Sequence, residues 1–294
     1  MAGEDVRLGA LEAGGTKMVC AVGTADGKIL EREEMPTLTP DETLSRLVSW
    51  FAERNVDALG VGAFGPTRVD PAAADYGTIL KTPKVAWRGC ELRRAFVEGL
   101  GVPVGYDTDV NVACLGEATF GSCRGLSDCV YVTIGTGIGA GVMCGGSLLH
   151  GMLHPETGHM LVARVVGDEG PCHCPSHECC LEGMAAGPSI QERWGAPAAE
   201  LADRPEVWEL EGDYLAQMCA NLVLCYSPKR IVLGGGVMHQ GQLFGIVRTK
   251  TLAYLGGYIS APELEDVDRY IVPAGCGGDQ GILGCVELAR RELA

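Results

Sequence analysis

The run Cys174-Pro175-Ser176-His177-Glu178-Cys179-Cys180 sets a thiol, an imidazole and a second thiol at three-residue intervals, and His159 lies upstream in PETGH. Nitrogen and sulfur donors of this kind suit tetrahedral Zn²⁺, and such short spacing lets one loop supply several of the ligands. Residues 167–178 carry little hydrophobic content of their own, so a bound metal would fold them. Unligated surface thiols are the plain alternative, but exposed thiols invite oxidation. Cys172, His173 and Cys179 are local competitors for the ligand positions. Glu156 and Glu182 flank the cluster. If a metal ties the loop to His159, both carboxylates come close together, where they can accept hydrogen bonds from the vicinal hydroxyls of a sugar. Either could equally be a solvated surface glutamate.

A second group of reactive residues is Asp107, Thr108, Asp109 and Asn111, which follows an apolar strand at 102–106. Ligand sites in α/β sheets lie outside the carboxyl ends of strands. An aspartate there can take the proton of an attacking hydroxyl during phosphoryl transfer. It can also cap the following helix, as Asp and Asn usually do at such a point. Two aspartates allow one to cap and the other to act.

Three glycine turns follow apolar strands: EAGGTK with Gly14, Gly15 and Thr16; TIGTGIGAG with Thr133, Gly135, Thr136 and Gly137; and LGGGV with Gly235 and Gly236. Glycine lets backbone amides face an anion with no Cβ in the way, and the threonines add hydroxyl donors. None is a Walker loop, and none sits between a strand and a helix as a dinucleotide fingerprint does. Any one alone reads as an ordinary tight turn. Together, in a repeated frame, they favour a nucleotide site.

The elements that must position these residues show that repeat. Strands at 7–13, 17–22 and 28–33 are joined by Gly14-Gly15 and Asp26-Gly27, the latter a hairpin signal. A helix follows, with Thr39 as N-cap, Pro40 in the first turn and Glu42 completing a capping box. A strand at 58–63, a helix at 91–100, the strand at 102–106 and a helix at 110–120 complete the first half. The pattern restarts with strands at 129–134, 138–144 and 147–150. A long helix at 206–225, a strand at 230–233, a helix at 242–255, a strand at 270–272 and a final helix at 280–293 follow. The expected organisation is a smaller N-terminal lobe over 1–120, joined by the C-terminal helix 280–294, and a larger lobe over 121–279 carrying the metal loop at 159–180.

The chain has 294 residues, a net charge of −15, 43 glycines and 14 cysteines. This acidity argues against a nucleic-acid binder and against docking on anionic lipid. No apolar run approaches the ~20 residues needed to cross a bilayer, and the first residues lack the features of a secretory signal. A cytoplasmic location is expected, with Cys20, Cys114, Cys129, Cys219, Cys225 and Cys285 as small core residues.

Read together, AFGPTRVDP, TPKVAW, DTDVNVACLGE, TIGTGIGAG, HPETGH, CPSHECCLEG and VLGGGVM resemble the ROK family of bacterial sugar kinases, most closely its fructokinase branch. The resemblance implies an actin-like ATPase (ribonuclease H-like) fold with two lobes around a cleft, ATP and Mg²⁺, a structural zinc, and commonly a homodimer. It implies Asp109 as the base. It implies Glu156, His159 and Glu182 as holders of sugar hydroxyls, and nucleotide contacts at Gly15, Thr16, Thr133, Pro188, Gly235 and Gly236. The Cys-x-x-His-x-x-Cys of that branch selects Cys174, His177 and Cys180 beside His159 as zinc ligands. Glu12 stands where many actin-like proteins have aspartate. The expected reaction is phosphoryl transfer from ATP to the 6-hydroxyl of fructose. Glucose, mannose or N-acetylglucosamine are the alternative substrates, and a noncatalytic sugar-responsive protein is the alternative of another class.

Overall fold

The structure, a computed structural model, describes residues 6–294. Strands β1 (Leu8–Ala13), β2 (Lys17–Gly23) and β3 (Ile29–Pro36) form an antiparallel meander, and β4 (Ala58–Ala63) and β5 (Val104–Thr108) add to it in parallel. Their order is β3-β2-β1-β4-β5. β1 and β4 are almost wholly apolar because the sheet is covered on both faces, whereas β3 at the edge carries four consecutive charged residues, Glu31 to Glu34. Helices α1 (Pro40–Glu53) and α2 (Leu92–Leu100) bring Leu47, Phe51, Leu92 and Phe96 into one core cluster. Gly101, in the left-handed conformation, ends α2. Thr39 is the N-cap of α1, but its hydroxyl bonds the Glu42 carboxylate at 2.6 Å instead of a backbone amide, so the expected capping box closes side chain to side chain.

The second sheet repeats the first. β6 (Cys129–Ile134) pairs antiparallel with β7 (Ile138–Cys144) and parallel with β9 (Ile231–Gly234), and β10 (Ile271–Pro273) pairs parallel with β9. With the two-residue β8 (Ser147–Leu148), the order β10-β9-β6-β7-β8 mirrors that of the first sheet. The strand expected over 147–150 stops at Leu148, because the chain then leaves the sheet. Between the strands lie α3 (Asp109–Thr119), α4 (Leu181–Ala185), α5 (Gly187–Trp194), α6 (Pro205–Tyr226) and α7 (Gln242–Leu255). The single-turn pieces α8 (Pro262–Glu265) and α9 (Val267–Tyr270) and the terminal α10 (Gln280–Arg291) complete the chain. The short α4 and α5 are too brief to show a helical period in the sequence, although Pro188 suits the first turn of α5.

The chain divides into two compact units. The first comprises residues to Gly125, Leu148–Pro155 and Gly275–Ala294; the second comprises Leu126–Ser147 and Glu156–Ala274. In the first unit α10 lies against α3 and β4 through glycine. A Cβ at Gly284 would fall 1.6 Å from the Val112 carbonyl oxygen, and one at Gly60 2.0 Å from that of Cys285. Five of the six cysteines expected in the core are buried there; Cys225 is exposed, on an outward-facing position near the end of α6.

Candidate active site and metal centre

In the first unit, β5 ends at the Asp107–Asn111 cluster. Thr108, not an aspartate, caps α3: its hydroxyl accepts the Asn111 amide at 3.1 Å. Of the two roles open to the aspartates, the cap is thus taken by Thr108. Asp107 is buried. Its Oδ1 accepts the Thr108 amide at 2.8 Å and the Asn111 Nδ2 at 2.7 Å, and its Oδ2 lies 2.7 Å from His150 Nε2. That hydrogen bond raises the His150 pKa above the ordinary imidazole range. Asp109 opens α3 half-buried, with Oδ1 accepting the Val110 amide at 2.9 Å.

The first glycine turn closes between β1 and β2. The Gly14 amide donates to the Lys17 carbonyl at 3.0 Å, and the Thr37 hydroxyl donates to the Gly14 carbonyl at 2.8 Å. Thr16 stays exposed at its tip. Lys84, a residue given no role in the sequence reading, leans over this turn: a Cβ at Gly15 would lie 3.1 Å from its Cε. Its only sequence signal was its place within TPKVAW. Glu12 is half-buried at the end of β1, and loss of solvent raises its pKa.

In the second unit the other two turns meet. The Gly187 amide donates to the Gly135 carbonyl at 2.8 Å, which sets Pro188 beside that turn. A Cβ at Gly135 would approach the Gly236 nitrogen at 4.0 Å. Gly235 has φ +88° and would place a Cβ 2.4 Å from the Ile134 carbonyl oxygen, so only glycine fits. Thr133 is half-buried and Thr136 exposed at the turn.

The metal loop lies in the same unit. The donor atoms of His159, Cys174, His177 and Cys180 all fall within 4.8 Å of one another. Cys174 Sγ is 3.4 Å from His177 Nδ1 and 3.8 Å from His159 Nδ1, and Cys180 Sγ is 3.8 Å from His159 Nδ1. Zn–S near 2.3 Å and Zn–N near 2.0–2.1 Å in a tetrahedron require S···N edges of about 3.6 Å, so the quartet fits that ion. Burial pushes the Cys180 thiol up to about 12, and ligation is what would convert it to the thiolate. The competitors point elsewhere. His173 Nδ1 pairs with Glu192 at 2.6 Å, Cys172 Sγ donates to the His177 carbonyl at 3.2 Å, and neither they nor Cys179 join the quartet.

His159 ends a short 3-10 turn, Thr157–His159, pressed so closely on β7 that a Cβ at Gly158 would sit 1.8 Å from the Ile138 carbonyl oxygen. With Nδ1 turned to the sulfurs, Nε2 faces Glu182, whose Oε1 is 3.9 Å away. Glu182 Oε2 accepts the Ile138 amide at 2.9 Å. His159 and Glu182 therefore form one polar edge beside Gly137. Glu156 starts the same 3-10 turn and is exposed.

A buried ion pair holds the front of the loop without any metal. Asp168 Oδ1 lies 3.2 Å from Arg193 Nε, with the two side chains only 3% and 7% exposed, and Tyr214 Oη donates to Asp168 Oδ2 at 2.5 Å. Gln217 brackets the neighbouring strand-like segment, accepting from the Ala163 amide at 2.8 Å and donating to its carbonyl at 2.9 Å. Arg193→Ala leaves the buried Asp168 carboxylate with Tyr214, the Gly170 amide and, at 3.9 Å, Arg164, and is expected to lower stability by about 3 kcal/mol, the low end for breaking a buried pair, read as a shift in the urea midpoint. A change within experimental error would show that the pair contributes nothing net.

Among the described residues no helix is long and apolar enough to cross a membrane. A model of the ROK family matches residues 8–292. A putative fructokinase of Bacillus subtilis is 46% identical over 97% of this chain and 96% of its own length. The fructokinase of Pediococcus pentosaceus is 43% identical over 97% of this chain and 98% of its own. The crystal structure of a ROK family glucokinase from Streptomyces griseus, in complex with glucose and AMPPNP, is 26% identical, with a TM-score of 0.74 over 97% of this chain and 99% of that one. The duplicated sheets are thus those of the actin-like ATPase fold, and with the match running from the first strand to the last helix, the chain belongs to the ROK family.

Proposed function

We propose that this protein is an ATP-dependent hexose 6-phosphotransferase whose preferred sugar is fructose. The observation that carries the choice of sugar is the 43% identity, over nearly the full length of both chains, to a fructokinase. The geometry supports the reaction class. Asp109 offers a carboxylate at the end of a parallel strand, the turns at Gly15 and Gly236 leave the backbone open to phosphate, and His159 and Glu182 offer a polar edge to sugar hydroxyls.

In this reading Asp109 accepts the proton of the sugar 6-hydroxyl as that oxygen attacks the γ-phosphorus. The bond from that phosphorus to the bridging oxygen of ADP breaks as the new one forms, and ADP leaves. Gly14, Gly15 and Thr16, with Thr133, Gly135, Thr136, Gly137, Pro188, Gly235 and Gly236, hold the nucleotide. Glu156, His159 and Glu182 orient the sugar. Magnesium bound with ATP would supply positive charge to the terminal phosphates. Zinc on His159, Cys174, His177 and Cys180 would have four protein ligands and so serve to hold His159 and the start of α4 in place. The enzyme would work in the cytoplasm as a homodimer.

Lys84 belongs to the nucleotide side of this reading. It is half-buried, and its side chain reaches over the Gly15 backbone. Lys84→Met is expected to raise KM for ATP about tenfold, the loss of one charge-assisted hydrogen bond, with KM for the sugar unchanged and Lys84→Arg largely normal. An unaltered KM for ATP removes Lys84 from this role. The function itself is tested by ADP release across fructose, glucose, mannose and N-acetylglucosamine, with the phosphorylated position identified in the product. Greater kcat/KM for another hexose would overturn the choice of fructose, and no ADP release with any of them would favour a noncatalytic sugar-binding protein.

A further inference from the structure

After β8 the chain leaves its sheet, and the segment Leu148–Pro155 packs as part of the first unit. Two imidazoles fasten it there. His154 Nε2 accepts the Thr67 amide at 3.3 Å, and the Thr67 hydroxyl is 2.6 Å from Tyr106 Oη, on the residue before Asp107. His150 Nε2 donates to Asp107 Oδ2 at 2.7 Å. The Asp107 side chain is 4% exposed, and its other oxygen is satisfied by Thr108 and Asn111. Asn111 is fully buried in the first turn of α3. Asp107, Thr108 and Asn111 thus form one hydrogen-bonded bracket around Asp109, and among the described residues His150 is the donor recorded for its outer oxygen.

We propose that His150 is a positioning residue for Asp109, acting through the buried Asp107 carboxylate. Removing the imidazole leaves an under-satisfied carboxylate in a dry site, which must tilt or draw in water. Asp107 and Asn111 then no longer fix the turn that carries the base. A displacement of about 1 Å in a reacting group can lower rate by around 10²-fold.

The inference rests on the kinase reading, and its test separates the two. His150→Ala is expected to lower kcat about 10- to 100-fold with KM for the hexose changed less than about threefold, because the sugar-holding residues lie elsewhere. His150→Gln keeps an N–H donor on a chain of similar length and is expected to recover most of that loss. Unchanged kcat in His150→Ala would overturn the proposal. So would a loss confined to KM, or equal losses in both variants with only the melting temperature lowered. The wild-type rate in the same assay reports on the kinase reading alone. NMR titration of His150, compared with Asp107→Asn, needs no turnover: an imidazole titrating normally and indifferent to Asp107→Asn overturns the pairing.

Discussion

Asp109→Asn is expected to lower kcat by about 10²–10⁴, the usual contribution of a positioned proton acceptor, while hexose still binds with measurable affinity. The substitution removes the proton acceptor with little change of shape. Thr108 caps α3, and an asparagine at the first helical position can keep the contact with the Val110 amide through its carbonyl oxygen. Loss of one negative charge at a helix N-terminus costs about 0.3–1 kcal/mol, too little to unfold the protein. Stopped-assay rates with calorimetric sugar binding provide the measurement. A variant with near-normal kcat, or one that loses rate only because it no longer binds sugar, would remove Asp109 as the base.

The second large effect concerns the metal. The purified protein is expected to carry about one zinc per chain, and Cys180→Ser to carry far less, since one of four tetrahedral ligands is gone. Turnover should fall by about 100-fold or more, at the top of the range for disturbed metal surroundings, because His159 loses the bond that aims Nε2 toward Glu182. Low pH should mimic the variant, since thiolates and imidazoles must shed protons to bind. The bulk of the fold should survive. Arg193 and Gln217 hold residues 163–170 to α5 and α6 without any ion. Hydrogen exchange should therefore rise in 171–182 and leave 163–170 protected. Metal content by mass spectrometry, rate and exchange decide the matter together: full turnover in a zinc-free variant would dismiss the structural role of the metal, and opening of the whole stretch 159–182 would dismiss the metal-independent clamp. Within Gly167–Glu178, residues 167–170 depend less on a metal than the composition of the stretch implies, because Asp168 is held by Arg193 and Tyr214 from distant helices.

Local chemistry accounts for what the sequence by itself determined. Hairpins at Gly14-Gly15 and Asp26-Gly27, the helix ending at Gly101 and the doubled strand pattern all follow from residue types within a few positions of one another. The three-residue spacing of Cys174, His177 and Cys180 likewise singles out donors that share a loop. Only the tertiary structure decided among neighbours of the same type. It turned His173 to Glu192 and Cys172 to the His177 carbonyl, gave the helix cap to Thr108, and put Asp107 under His150, 43 positions away. It also formed α4 and α5, which are too short for a period to mark them. The physical reason is that spacing sets which groups can reach a common point, whereas burial and partners brought from distant elements set which of them do.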